Sequence, residues 1–481
     1  MHDASMKGRM LRNVLLILVL SSLGANAQWL QKGKHRVPGT GDENIEAHFG
    51  TSVDLSASGD VMVMAAQAEN DTSYVRVYEW TGSYWTKRGA RIKLEWNPWS
   101  YKNSVSISAD GNAVALTFFD PLNGDLICEV YDWYLGAWSM RGEPMIDTQP
   151  CYLNQGKTLE ITPDGNTVVL SSQSNGGSDD MLIIYDWVDA AWIARTSIDP
   201  GALAGQGYNC SVSESASSVV IATLGSYCED SSAFDSWNVK VYDWTGVSWN
   251  LRGFGISEPD GNSCGIYTSI SLDGNTVAVS TPPLVRIYDW SGSQWLQRSN
   301  AIATETSGSG SGSFVVSNPV DLSWDGNTFA VGIPMNDSAK GQVRVYSWTG
   351  TGWLKLGEDL TGKEPNDHFG YSIALSANGL TLAVGAPDND SIDIDAGMVT
   401  AYRYYYTADL SANLESVLHC WPNPTNGMVY FGKTINLVEV YNLLGDKLIS
   451  FEQVTEIDLS RCSSGIYILR SDSATHRLIR H

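Results

Sequence analysis

From Ser52 the chain alternates apolar and polar residues in the run SVDLSASGDVMVMAA, broken in the middle by small residues and a glycine. A period of two marks a strand with one packed face, and the residues at the break tolerate the positive φ of a tight turn. The stretch therefore predicts two antiparallel strands. The same pattern returns as SVSISADGNAVALTF from Ser104, LEITPDGNTVVLSS from Leu159, SVSESASSVVIATL from Ser211, SISLDGNTVAVST from Ser269, DLSWDGNTFAVGI from Asp321 and SIALSANGLTLAVGA from Ser372. A variable loop follows each copy, and then a second hairpin typified by YVRVYEWTGSYWTKRG from Tyr74. Its first tryptophans (Trp80, Trp133, Trp187, Trp244, Trp290 and Trp348) are each followed five residues later by a second (Trp85, Trp138, Trp192, Trp249, Trp295 and Trp353). The seventh copy, MVTAYRYYY from Met398, places Tyr404 at the first tryptophan's position and ends there.

Four strands per copy at a pitch of about 46 to 58 residues predict a repeat architecture, a seven-bladed β-propeller of four-stranded blades around a channel. The two ends of the array argue for a closed ring over an open solenoid. QWLQKGK from Gln28 matches the fourth-strand pattern QWLQRS from Gln294 and GWLKLG from Gly352, so Trp29 supplies the second tryptophan the last copy lacks. Pairing that strand with the last blade removes two exposed sheet edges at once. The fold class is all-β: the propeller over residues 28–406, a linker over 407–417, and a small β-sandwich over 418–481, where short strands alternate with Pro and Gly.

The last segment carries further motifs: Trp421-Pro422-Asn423-Pro424-Thr425-Asn426-Gly427, VEVYNLLGDKL from Val438, IDLS from Ile457, SGIYIL from Ser464 and RLIRH at the end. Together they closely resemble the C-terminal sorting domain of the type IX secretion system, type A. The resemblance implies a bacterium of the Bacteroidetes kind, passage through the periplasm and across the outer membrane, and then attachment to the cell surface or release. The secretion machinery would be the partner of residues 418–481. His48-Phe49-Gly50 and His368-Phe369-Gly370, with Gly385-Ala386-Pro387, resemble the FG-GAP type of propeller repeat. That family's Asp-rich calcium loop is absent, its positions reading SASGD and SANGL, so the resemblance carries the fold and not the metal.

Residues 1–27 read as a signal peptide: Lys7, Arg9 and Arg12 precede an apolar run from Val14 to Leu20, and Ala25-Asn26-Ala27 forms a cleavage site. The run is short for a bilayer span, so no transmembrane anchor is expected after cleavage. A formal net charge of −23 argues against nucleic acid as a partner. Seven cysteines show no ligand spacing; Cys210 with Cys228, and Cys420 with Cys462, could pair in an oxidising compartment.

Candidate chemistry is sparse. The tryptophan pairs recur at fixed hairpin positions and are read as packing between blades. Trp96, Trp99 and Tyr101 break the repeat in the long loop before the second blade and are the aromatic candidates for ligand contact. No cofactor is expected unless it is calcium. PDNDSIDIDAG from Pro387 brings Asp388, Asp390, Asp393 and Asp395 close enough to offer oxygen ligands to that cation, and solvation of an acidic surface is the simpler reading. The histidines form no i, i+4 pair, and neither a nucleophile elbow nor a phosphate loop is present. The expectation is a secreted or cell-surface binding or adhesion module for an extracellular glycan or protein, rather than an enzyme. The alternatives are a polysaccharide-degrading hydrolase or lyase, and a structural surface-layer component.

Overall fold

Each period-two stretch forms a strand whose apolar face packs against the next sheet. In a computed structural model the repeats over Trp29–Tyr404 form one compact unit and the tail belongs to a second. The structure describes residues 28–34, 48–66, 73–94, 103–120, 125–148, 159–172, 181–198, 209–214, 216–223, 238–257, 266–304, 318–391 and 393–405 around the repeats. In the tail it describes 420–421, 425, 427–442, 447–463, 465–471 and 475–480.

The repeats form seven antiparallel sheets, the blades of a propeller. Blade 1 runs inside to outside through Ser52–Leu55, Val61–Ala66, Tyr74–Trp80 and Trp85–Lys87. Its register pairs Ser52 with Ala65, Val61 with Glu79, and Trp80 with Trp85. The innermost strands of blades 2 to 7 are Val105–Ile107, Leu159–Ile161, Asn209–Val212, Tyr267–Ile270, Val320–Leu322 and Ser372–Leu375. The outer strand comes in two pieces: after Trp85–Lys87 the chain steps away at Arg88 and Gly89, and Ile92–Lys93 returns to pair with Tyr74 and Val75. Gln28–Gln31 is the outer strand of blade 7, in the order Gln28–Gln31, Met398–Tyr405, Thr381–Ala386, Ser372–Leu375.

Apolar residues of neighbouring blades share each core. Val63, Val75 and Val77 of blade 1 pack with Val105, Val114 and Leu116 of blade 2, and blade 7 meets blade 1 in the same way through Ala383, Val399, Met62 and Met64. Two circles of hydrogen bonds add to this packing near the channel. In the first, a backbone N–H just after each inner strand donates to the matching carbonyl of the following blade: Ala57 to Ala109 (2.9 Å), Ala109 to Pro163 (2.8 Å), Glu214 to Leu272 (2.9 Å), Leu272 to Trp324 (2.9 Å), Trp324 to Ala377 (3.0 Å) and Ala377 to Ala57 (3.1 Å). The last bond joins blade 7 to blade 1. The step from blade 3 to blade 4 falls on Pro163, which has no N–H to give.

In the second circle a polar side chain of each inner strand accepts the next blade's backbone N–H. Asp54 takes Ile107, Ser106 takes Ile161, Glu160 takes Val212, Ser211 takes Ile270, Ser269 takes Leu322 and Asp321 takes Leu375. In blade 7 the position is Ala374, which has no acceptor. The N–H it would have served, that of Leu55, is taken by Asp54 Oδ1 at 2.8 Å.

The tail strands Cys420–Trp421, Met428–Tyr441, Lys447–Asp458, Gly465–Ser471 and Thr475–Arg480 are hydrogen-bonded as one five-stranded sheet. Register shifts between Tyr430 and Ile435 and between Val440 and Tyr441 bend the long strand. Its core holds Val429, Phe431, Val438, Val440, Ile457, Tyr467, Leu469 and Leu478. Cys462 is a free thiol packed against that core, so the Cys420–Cys462 bond the sequence allowed is not made; Cys228 lies outside the described residues.

Candidate functional site

Spacing of five places the two tryptophans of each hairpin directly across from one another, with ring centroids 5.0 to 5.4 Å apart. Their neighbours show what they do. The basic residue that ends each outer strand reaches the following blade, where its cation lies over the tryptophans: Lys32 on Trp80 and Trp85, Arg88 on Trp133, Arg141 on Trp187, Arg195 on Trp244, Arg252 on Trp290 and Arg298 on Trp348. Indole N–H groups donate back across the same seams, Trp85 to Lys32 O (2.7 Å), Trp138 to Arg88 O (2.7 Å) and Trp192 to Arg141 O (2.9 Å). At the last seam Leu356 replaces the cation, and Trp29 donates to its carbonyl at 3.0 Å while its ring lies tilted against Tyr404, centroids 5.3 Å apart. The tryptophans thus fasten blade to blade.

The same cations grip the turn between the first two strands of the following blade. Arg252 forks onto Asp243 of its own sheet and donates to Gly274 O at 2.5 Å in the next turn. Arg141 and Arg298 do the same through Asp132 with Gly165 O, and Asp289 with Gly326 O. Lys32 fills this place where blade 7 meets blade 1, held by Gly59 O at 2.6 Å and Asp60 at 2.7 Å. Burial pulls its ammonium below the ordinary lysine value, against the hydrogen bond and charge of Asp60.

The second strands end and the third strands begin on the opposite face from these turns, as the loop after Thr381–Ala386 does. Asp388 there bridges two imidazoles, His48 Nδ1 at 2.9 Å and His368 Nδ1 at 2.6 Å. Both histidines have positive φ, 38° and 51°, so the backbone is held in the left-handed region to aim them at one carboxylate. Burial would raise the Asp388 carboxyl, but the hydrogen bonds from His368 and His48 outweigh it and bring it to about 2. Burial and the charge of Asp388 push the nearby Tyr371 phenol up to about 12.

Asp388 is therefore occupied with histidines. Asp390 accepts the N–H of Asp395 at 2.8 Å, and Asp393 accepts that of Ile394 at 2.9 Å. The carbonyls of Asp395 and Ala396 receive the N–H groups of His48 and Phe49, which ties this loop of blade 7 to the start of blade 1. Among the described residues no three His, Cys, Asp or Glu side chains gather so as to hold a metal ion. Trp96, Trp99 and Tyr101 lie outside the described residues. The glycines of the FG and GAP elements meet: a Cβ on Gly385 would stand 2.2 Å from Gly50 O, so these elements require each other's lack of a side chain.

The channel mouth opens on this same face, a cavity of about 100 Å³ lined by inner strands of six blades. Asp54 and Asp321 stand in it among Thr51, Ser52, Ser104, Asn209, Ser269 and Ser372. Glu160 occupies the equivalent position in blade 3. These carboxylates were not among the residues the sequence singled out. The signal was the polar alternate position of each first strand, as in SVDL, LEI and DLS.

Residues 419–481 match the family described as the secretion system C-terminal sorting domain. The protein is a β-propeller that the type IX secretion system delivers to the outer surface or the surroundings of the cell, and its tail engages that machinery. No curated protein matches the sequence. Among solved structures, Kuenenia stuttgartiensis hydrazine synthase is similar over 77% of this chain and 97% of its own, with 12% identity and a TM-score of 0.47. The C-terminal WD40 domain of Sif2 is similar over 79% and 99%, with 13% identity and a TM-score of 0.44. A putative 6-phosphogluconolactonase from Bacteroides uniformis is similar over 66% and 86%, with 10% identity and a TM-score of 0.44.

Proposed function

We propose that the protein is an extracellular binding or adhesion module, a propeller of the FG-GAP-like kind whose loop-rich face contacts a glycan or protein outside the cell. The observation that carries this reading is the channel mouth, a polar cavity lined by the starts of the inner strands in a scaffold locked by seam contacts. Variable loops on a rigid frame are where binding usually resides. On this reading Trp96, Trp99 and Tyr101 add stacking surface, and calcium, if used, is held by the Asp390 to Asp395 loop with Asp388 beside it.

The test is a glycan and extracellular-protein array probed with the mature chain, in calcium and in chelator. Retention of a defined ligand class supports the reading, and blank arrays overturn it. The carboxylates of the channel favour a second reading, a polysaccharide hydrolase or lyase. It requires product release from a polysaccharide panel that disappears in Asp54→Asn.

A further inference from the structure

Two polar atoms in the channel mouth are buried and lack a hydrogen-bond partner: Thr51 Oγ1 of blade 1 and Asn209 Nδ2 of blade 4. Asn209 is 2% exposed, and its orientation is fixed because its Oδ1 accepts both the backbone N–H of Thr268 (2.6 Å) and the Thr268 hydroxyl (2.9 Å). Turning the amide over would set Nδ2 against that N–H, donor against donor. The amino group must therefore point away from Thr268 with nothing to receive it. Buried polar groups in folded proteins are nearly always paired, and an exception calls for an explanation. Both exceptions belong to residues that line one cavity, on different blades, and a ligand that enters it with a small shift of these side chains would complete them.

The lining narrows the chemistry. Its residues are Ser, Thr, Asn, Asp and Tyr with a few aliphatics, and no Lys, Arg or His is among them. An anion would find no countercharge there. A hydroxyl group, both donor and acceptor, can satisfy an amide N–H, a threonine hydroxyl and a carboxylate in turn.

We infer that the channel mouth binds a neutral, hydroxyl-rich ligand, the end of a saccharide chain, with Asn209 Nδ2 donating to a ligand oxygen and Thr51 Oγ1 bonding to a second. This deepens the binding-module reading and rests on it. The experiment is titration calorimetry of the mature chain with the methyl glycosides of glucose, galactose, mannose and xylose, with methyl glucuronide and calcium chloride as separate arms. At least one neutral glycoside binds, and Thr51→Val and Asn209→Asp each weaken it tenfold or more. Thr51→Val keeps the shape and removes only an unpaired hydroxyl, so its melting temperature is expected to hold or rise while affinity falls, a split that a structural role would not produce. Asn209→Asp keeps the acceptor for Thr268 and removes the donor. Wild-type affinity in both variants overturns the inference and leaves binding elsewhere on the loops intact. Binding of glucuronide or calcium in preference to every neutral glycoside overturns it by naming another ligand. Silence from every arm overturns it too, and the arrays then decide separately whether the binding reading survives.

Discussion

Replacing Arg252 by alanine removes one complete seam fastener. The guanidinium forks onto Asp243 at 2.7 and 2.5 Å and donates to Gly274 O at 2.5 Å and Ser218 Oγ at 2.7 Å. It also stands 5.9 and 6.0 Å from the rings of Trp290 and Trp295. The arginine side chain is 13% exposed and Asp243 is 37% exposed, so water takes over much of the carboxylate's need and the ion pair counts for only about 1 kcal/mol. The two bonds to neutral acceptors add about 1 kcal/mol each, and the indole contacts about 0.5 to 1 kcal/mol. Together these come to about 3 to 4 kcal/mol. For a unit of roughly 380 residues the unfolding entropy is about 0.8 kcal/mol per degree, which converts the loss to about 4 to 5 °C in melting temperature. Arg252→Lys keeps the charge without the fork and is expected to recover less than half of the loss. Differential scanning calorimetry of the two variants decides the matter. If both melt within about 1 °C of the wild type, the seams are not held by these cations.

Three further outcomes concern a seam glycine, the Asp388 bridge and the tail. Gly89 has φ +80° and would put a Cβ 2.6 Å from Trp133, whereas Gly82 has φ +94° and open space around it, so Gly89→Ala should cost about 1 to 3 kcal/mol more than Gly82→Ala in chemical denaturation. Because the folded pKa of Asp388 is depressed to about 2, its contribution of about 2 kcal/mol is present above the unfolded value near 3.9 and is lost as pH falls toward 2. Asp388→Asn should flatten that acid limb of the stability profile and leave the rest of its shape unchanged. Deleting residues 419–481 should leave the propeller in the periplasm of a host carrying the secretion system, read by cell fractionation; export of the truncated chain would contradict the role of the tail.

Local features of the sequence carried most of the architecture. Alternation gave the strands, spacing of five gave the tryptophan pairs, and the match of QWLQ to the fourth-strand pattern gave the closing strand. Contacts that span blades were not legible, because they join residues far apart in the chain. The step from Arg252 to Gly274 crosses 22 positions, and that from His48 to Asp388 crosses 340. Asp388 looked like one member of an acidic loop because nothing local shows the two imidazoles that claim it. Asp54, Glu160 and Asp321 passed unnoticed for the opposite reason: a polar residue at every second position of a strand reads as surface, although here that surface is the channel wall.

The closing strand is the point on which the ring, its two circles of hydrogen bonds and the channel mouth all depend. It is tested most directly by deleting residues 28–34 from the mature chain and adding them back as a synthetic peptide. The ring predicts that the truncated chain melts several degrees lower, that the peptide QWLQKGK restores the loss, and that the same peptide carrying Trp29→Ala does not. An unchanged melting temperature after the deletion would contradict it.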